Sequence, residues 1–326
     1  NEVSFIYFNA EKSGDEKSHG INFSFHNNFY SSLKVLGQNF DHVISIYVPK
    51  KHRWKWYQWM QKNKAHTTCH SFITGWSDNT AKRFLGQIER QIFRPTGWQF
   101  CLSPRLQQKA FSMGNKRSAL LLPPVPDDFF LTPELKPKSK QLTINYFGRI
   151  DAGKGIHFVE SFFNYLSKKR SDINLGIYGY TWRKDLSGSQ MHQKLLLNPA
   201  FHYEPCDFAK YSPQTDIDLK NHFTNTDILF LPYKTLGTTI DTPLVVLEGL
   251  AHLCPIIGIA QGDLPSIYGS DKYFFDETSS LNQQYELLET LEQNLQVEQQ
   301  RIYKHIQEFK FRASDSSRIL LERFQD

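Results

Sequence analysis

LTINYFGRIDAGKGIHFVESFFNYLSKK, residues 142–169, is the stretch that decides how this chain is read. Leu142 to Phe147 is an apolar run of strand length, and Gly148 to Gly155 is a loop holding Gly148, Gly153, Gly155, Arg149 and Lys154. Ile156 to Lys169 then carries its apolar residues at helical spacing. Strand, glycine loop and helix repeat downstream. Ile173 to Tyr178 reads as a strand ending at Gly179, Asp218 to Asn225 as a helix, and Asp227 to Pro232 as a strand. Leu244 to Leu253 is a helix, Pro255 to Ile259 the next strand, and Leu281 to Phe324 a charged helical tail. The alternation defines a doubly wound α/β unit.

Working back toward the start, the pattern is similar but less regular. Ser4 to Phe8 reads as a strand, Asn9 to Asn22 as a loop with Gly14 and Gly20, and Phe23 to Leu36 as a helix stopping at Gly37. His42 to Val48 is the next strand, which predicts a βαβ unit at the N-terminus. Trp98 to Leu102 is a strand, Arg105 to Phe111 a helix, and Ala119 to Leu122 an apolar run meeting Pro123-Pro124. The polar, proline-containing stretch Thr132 to Gln141 reads as the linker, giving an N-terminal domain over 1–138 and a C-terminal one over 139–326.

Composition excludes several classes. The chain has 326 residues, 40% hydrophobic and 22% charged, which supports a core and argues against general disorder. The most apolar stretch, Leu244 to Ala260, is interrupted by Glu248, His252 and Pro255 and is too short for a membrane span. No basic-then-apolar signal peptide opens the sequence. Cys69, Cys101, Cys206 and Cys254 lack metal or disulfide spacing and fit a reducing, cytoplasmic setting. Residues 1–138 hold 19 Lys+Arg against 10 Asp+Glu, a net +9, while the remainder holds 19 against 23, a net −4. The halves are therefore expected to meet different partners. No nucleic-acid-binding signature is present.

The glycine loop after Phe147 is the strongest site candidate. It lies at the carboxyl end of a strand, where open α/β sheets bind ligands, and it precedes a helix N-terminus. With Arg149 and Lys154 added, its natural guest is a phosphate or diphosphate. It is neither a Walker A loop nor GxGxxG. A second candidate is Asp241-Thr242-Pro243-Leu244-Val245-Val246-Leu247-Glu248. Thr242 is placed to cap the helix and Pro243 fits its first turn. Glu248, in an otherwise apolar helix, calls for a hydrogen-bond donor such as a ribose diol.

YFGRIDAGKGIHFVESF together with DILFLPY and DTPLVVLEGLAHLCPIIG resembles the C-terminal domain of GT-B glycosyltransferases of the retaining, family-4 type. The likeness is good over residues 142–265 and looser over 1–130, where Gly14 to Gly20 and Cys101-Leu102-Ser103-Pro104 resemble N-terminal motifs. It implies two Rossmann-like domains facing across a cleft, with a nucleotide diphosphate sugar as donor and no metal or other cofactor. It implies that Arg149 and Lys154 contact the diphosphate, that Glu248 binds the ribose, and that Gly148 and Gly179 line the donor site. The backbone of Thr242, Leu244 and Val245 would face the β-phosphate. The first Glu of the family's E-x7-E motif falls at Ile240, with Asp241 as its neighbouring substitute. A His of the N-terminal domain facing the donor sugar would be His70, ahead of His66; His19 and Gly20 would lie at the first glycine loop. Asp216-Ile217-Asp218 has the form of a metal-binding DxD, but reads better as acids opening a helix.

The expected reaction is sugar transfer to a hydroxyl of a glycan or lipid-linked acceptor in cell-surface polysaccharide or lipopolysaccharide synthesis. A nucleotide-sugar epimerase and a non-catalytic GT-B-like binding subunit are the rivals. Finally, Lys50–Lys64 holds six Lys/Arg, four Trp/Tyr and no acid. Such a stretch is expected to lie on an anionic, cytoplasmic membrane face.

Overall fold

A computed structural model describes residues 4–8, 14–18, 21–26, 33, 36, 40–46, 48, 50–73, 88, 95–137, 140–180, 186–205, 213–235 and 242–325. The chain divides into two compact units. One comprises 1–101, 106–120 and 323–326, and the other 102–105 and 121–322. The sequence-based boundary at 138/139 falls inside the second unit. One tie is Lys136, whose buried ammonium donates to the carbonyls of Thr226 (2.6 Å) and Phe223 (3.3 Å) and lies 3.4 Å from the Cys254 sulfur. A stretch that looks like a solvated linker is thus tied into a core by this lysine, together with the Leu131 N–H, which donates to the Ala251 carbonyl at 2.9 Å. Replacing Lys136 by methionine should destabilise the second unit by roughly 3 kcal/mol, since hydrogen bonds from a charged group are lost and buried carbonyls are left unpaired. Urea unfolding checks this.

The first unit contains two sheets. β1 (Ser4–Phe8) pairs in parallel with β3 (Ile21–His26), which pairs antiparallel with β2 (Gly14–Ser18). This corrects the N-terminal reading: 14–18 is a strand rather than loop, and 21–26 is a strand rather than the end of a loop and the start of a helix. The sequence Ile21-Asn22-Phe23-Ser24-Phe25-His26 alternates apolar and polar residues with period two, the strand signature. β4 (His42–Ser45) does not join β1; it opens a parallel sheet β4-β5-β6-β7 with β5 (Thr68–Ile73), β6 (Gln99–Cys101) and β7 (Ser118–Leu120). Helix α1 (Arg53–Asn63) buries Trp56, Trp59 and Met60 against Val43 and Cys69, with the two indoles stacked 5.1 Å apart. Helix α2 (Pro104–Ser112) buries Leu106 and Ala110.

The second unit is a six-stranded parallel sheet. In chain order its elements are β8 (Leu142–Arg149), α3 (Ile156–Lys169), β9 (Ile173–Tyr180), α4 (Leu186–Leu196), β10 (His202–Pro205), α5 (Pro213–Thr224), β11 (Ile228–Leu231), α6 (Leu244–Ala251), β12 (Ile256–Ile259), α7 (Leu264–Tyr268) and β13 (Phe274–Phe275). Helices α8 (Leu281–Gln293), α9 (Leu295–Glu308) and α10 (Ala313–Gln325) close the chain, as the tail's periodicity predicts. The strand order is β10-β9-β8-β11-β12-β13. The chain starts at β8, winds outward to β10, then returns to β11 and winds the other way, so the topological switch lies between β8 and β11.

Why these residues form this sheet is clear locally. β11 and β12 are wholly buried, as parallel strands covered on both faces must be. α3 buries Ile156, Val159, Phe162, Phe163 and Leu166 as one stripe, and Phe162 stacks on Phe230 of β11 at 4.7 Å. Asp227 fixes β11 against β8. Its N–H donates to the Thr143 carbonyl (2.9 Å), and its carboxylate accepts from the Thr143 N–H (2.8 Å).

Candidate active site

The switch between β8 and β11 is flanked by the loops that follow these two strands, and both carry predicted site residues. After β8 the chain turns through Ala152–Lys154, capped by Asp151, whose side chain accepts from the Lys154 N–H at 2.9 Å. Gly155 follows with φ +73°, and a Cβ there would lie 1.9 Å from the Pro232 carbonyl oxygen. That contact brings the loop after β11 onto the loop after β8. Two further bonds join them: Lys234 and Thr235 N–H groups donate to the Gly153 carbonyl at 3.1 and 3.2 Å.

Arg149 and Lys154 are held differently within this clamp. Arg149 ends β8 with its Nε 3.2 Å from the Asp151 carboxylate, and its carbonyl accepts from the buried Tyr146 hydroxyl at 2.7 Å. The Lys154 side chain is buried, and its Nζ stands 4.1 Å from the centre of the Tyr233 ring. Burial, and then the charge of Arg149, push the Lys154 pKa down to about 8 against a smaller opposing pull from Asp151. Two cations share one loop with one carboxylate, leaving the crevice suited to an anion.

Gly148 and Gly179 face each other across the β8–β9 register. A Cβ on Gly179 would fall 2.6 Å from the Gly148 carbonyl, so the glycine keeps the two strand ends close. Thr242 is not the cap that the sequence suggests. Pro243 occupies that position, and the buried Thr242 hydroxyl instead donates to the Leu102 carbonyl at 2.6 Å. Leu244 and Val245 begin α6, where their N–H groups have no acceptor within the helix. Leu244 is exposed and Glu248, one turn further, is half-buried on the same face. Gly20, His19, Ile240 and Asp241 lie outside the described residues. Asp216 to Asp218 lie within α5, past its first residues, as acids of a helix.

His70 lies deeper than a surface histidine. It is buried in the first unit, where its Nδ1 accepts from the Trp98 N–H at 3.0 Å and its Nε2 meets His42 Nδ1 at 3.1 Å. The first bond puts the ring proton on Nε2. Both nitrogens are engaged within the first unit, so the ring is part of that unit's core. His66 lies exposed in the turn after α1. Burial, and then His42, lower the His70 pKa to about 4, and burial does the same to His252. A folded pKa below the unfolded value of ~6.5 means that the unfolded chain binds more protons in between. The contribution is present at neutral pH and is lost as pH falls from about 6.5 to about 4. Chemical denaturation at pH 7 and 5 should show this loss, reduced in His70→Gln.

Tyr233, Asp151 and Tyr146 were not singled out from the sequence. Asp151 alone carried a signal there, as an acid three residues before Lys154. Among the described residues no three His, Cys, Asp or Glu side chains gather as a metal site would need.

These units, each containing a parallel sheet with helices and the second with its switch-point crevice, define a protein of the GT-B class. A family model for glycosyl transferases group 1 matches residues 128–308, more than half of the chain, and the chain belongs to that family. Among solved structures it is similar to HepE from Anabaena in complex with UDP (TM-score 0.69, 10% identity, covering 98% of this chain and 98% of that one). It is also similar to the pneumococcal O-GlcNAc transferase GtfA in complex with UDP and GlcNAc (TM-score 0.61, 12%, covering 90% and 58%). A third likeness is to WaaG, a glycosyltransferase of lipopolysaccharide biosynthesis (TM-score 0.57, 14%, covering 98% and 90%). No curated protein matches the sequence.

Proposed function

We propose that the chain transfers a sugar from a nucleoside diphosphate sugar to a hydroxyl of a glycan or lipid-linked acceptor, with retention of the anomeric configuration. The observation that carries this is the loop after β8, which holds Arg149 and a buried Lys154 at the switch-point crevice with a single carboxylate between them. UDP in HepE and in GtfA supports a nucleotide as donor.

In this reading the acceptor oxygen bonds to the anomeric carbon on the face from which the diphosphate departs, the bond from that carbon to the diphosphate oxygen breaks, and the acceptor's hydroxyl proton passes to the departing diphosphate oxygen. The leaving diphosphate gains charge. Arg149, Lys154 and the N–H groups of Leu244 and Val245 stabilise that charge more in the transition state than in the ground state. Glu248 accepts from the ribose hydroxyls. The cation pair takes the place of a divalent metal, so EDTA should leave turnover intact. A panel of nucleotide sugars, followed by NMR of the product's anomeric proton, tests the reading. Retained configuration with one donor is expected, and no turnover of any nucleotide sugar would overturn it.

The acceptor side is read from α1. Trp56 and Trp59 belong to the core, so the aromatic half of the membrane expectation reduces to Trp54, 56% exposed. Lys55 and Lys62 remain exposed with Trp54 along the helix, and Lys51 is exposed in the turn before it. Each is worth ~1 kcal/mol near an anionic surface. Co-sedimentation with anionic vesicles is expected at low salt and should fade as salt screens it. Equal, negligible sedimentation with neutral and anionic vesicles would remove the membrane. Among the described residues no helix is long and apolar enough to cross one.

A further inference from the structure

Among the described residues, Lys154 has a cation's burial without a cation's usual partner. Asp151, the carboxylate of its own loop, is already engaged at both oxygens: one meets Arg149 Nε at 3.2 Å, and the other accepts the Lys154 backbone N–H at 2.9 Å. Among the described residues no carboxylate pairs with the Lys154 ammonium and no hydrogen bond reaches it. Its neighbour is the face of Tyr233, 4.1 Å from Nζ to the ring centre.

That ring is itself fixed. Tyr233 is buried, its backbone N–H donates to the Leu231 carbonyl at 2.9 Å, and its hydroxyl lies 3.5 Å from the Phe147 carbonyl. It therefore spans from the end of β11 to the end of β8, across the switch point. The negative face of an aromatic ring compensates an ammonium without supplying a formal charge. A carboxylate in the same place would neutralise the lysine and compete with an incoming anion. We propose that Tyr233 is the positioning residue of the donor-binding lysine: its ring face keeps Lys154 charged and in place while leaving the ammonium's own charge for the diphosphate.

This rests on the diphosphate reading of the site, and the closing experiment separates the two. The ligand-free titration of Lys154 is followed by NMR of 13C-methylated lysines, assigned with Lys154→Met. The wild-type midpoint is expected near 8, in line with the burial of the side chain. Tyr233→Phe keeps the ring and should keep the midpoint. Tyr233→Leu removes the quadrupole and should lower the midpoint by about half a pH unit. Should the leucine variant fail to fold, phenylalanines of increasing fluorination at position 233 preserve shape while draining the ring face, and should lower the midpoint stepwise. UDP calorimetry between about pH 7.5 and 9, where its terminal phosphate is fully ionised (second pKa ~6), gives the second readout. Affinity should fall with rising pH, and earlier in Tyr233→Leu. An unmoved midpoint in the leucine and fluorinated variants overturns the role of Tyr233. UDP binding unchanged in Lys154→Met overturns the donor reading, and the ligand-free midpoints still decide the positioning role.

Discussion

Alanine at position 155 is expected to destabilise the second unit by roughly 3 kcal/mol or more. Two costs combine. Gly155 has φ +73°, a conformation that costs a non-glycine residue on the order of 1 kcal/mol. The new Cβ would also sit 1.9 Å from the Pro232 carbonyl oxygen, a backbone atom that moves only if the loop after β11 moves. Overpacking of this kind adds about 1–3 kcal/mol. Because Gly153 accepts from Lys234 and Thr235, the displacement would be felt across the whole clamp. Gly114 is the control: it has φ +77° but nothing within 4 Å of its Cβ position, so Gly114→Ala should show the strain alone. Equal melting temperatures for the two variants would contradict the clamp.

Removing either cation should cost about 2–4 kcal/mol of barrier, a fall of roughly 30- to 1000-fold in kcat, comparable to losing one preorganised donor to a developing anion. Arg149→Ala and Lys154→Ala should differ in their pH profiles. The wild-type rate should decline above about pH 8 as Lys154 loses its proton. Arg149 is a like charge that lowers the Lys154 pKa, so Arg149→Ala should move that decline to higher pH. A kcat of wild-type size in both variants would remove the cation pair from the mechanism.

The parts legible in the sequence are those whose determinants are local. The stretch from Leu142 to Lys169 shows its strand, its loop and its helix through runs and spacing, and all three are found within a few residues. Arg149 and Lys154 were visible because a loop between strand and helix has few reasons to hold three glycines and two cations. Non-local determinants were not legible. Nothing around Lys136 announces that its ammonium reaches carbonyls some 90 residues later in the chain. His70 looked available because its partners, the Trp98 N–H and His42, each lie 28 residues away. Tyr233 stands in plain view after Pro232, yet its ring meets Lys154 only once folding brings the two loops together. At the N-terminus, Gly14 and Gly20 suggest a loop, whereas the period-two pattern from Ile21 to His26 belongs to a strand paired antiparallel with Gly14–Ser18.

The central claim is that a nucleoside diphosphate binds at the β8–β11 switch through the paired cations. Isothermal calorimetry of UDP with the wild-type chain and with the Arg149→Ala/Lys154→Ala double variant tests it most directly. UDP is expected to bind the wild type at neutral pH and to show no measurable heat with the double variant, provided that variant melts as the wild type does. Equal affinity for UDP in a folded double variant would contradict the account.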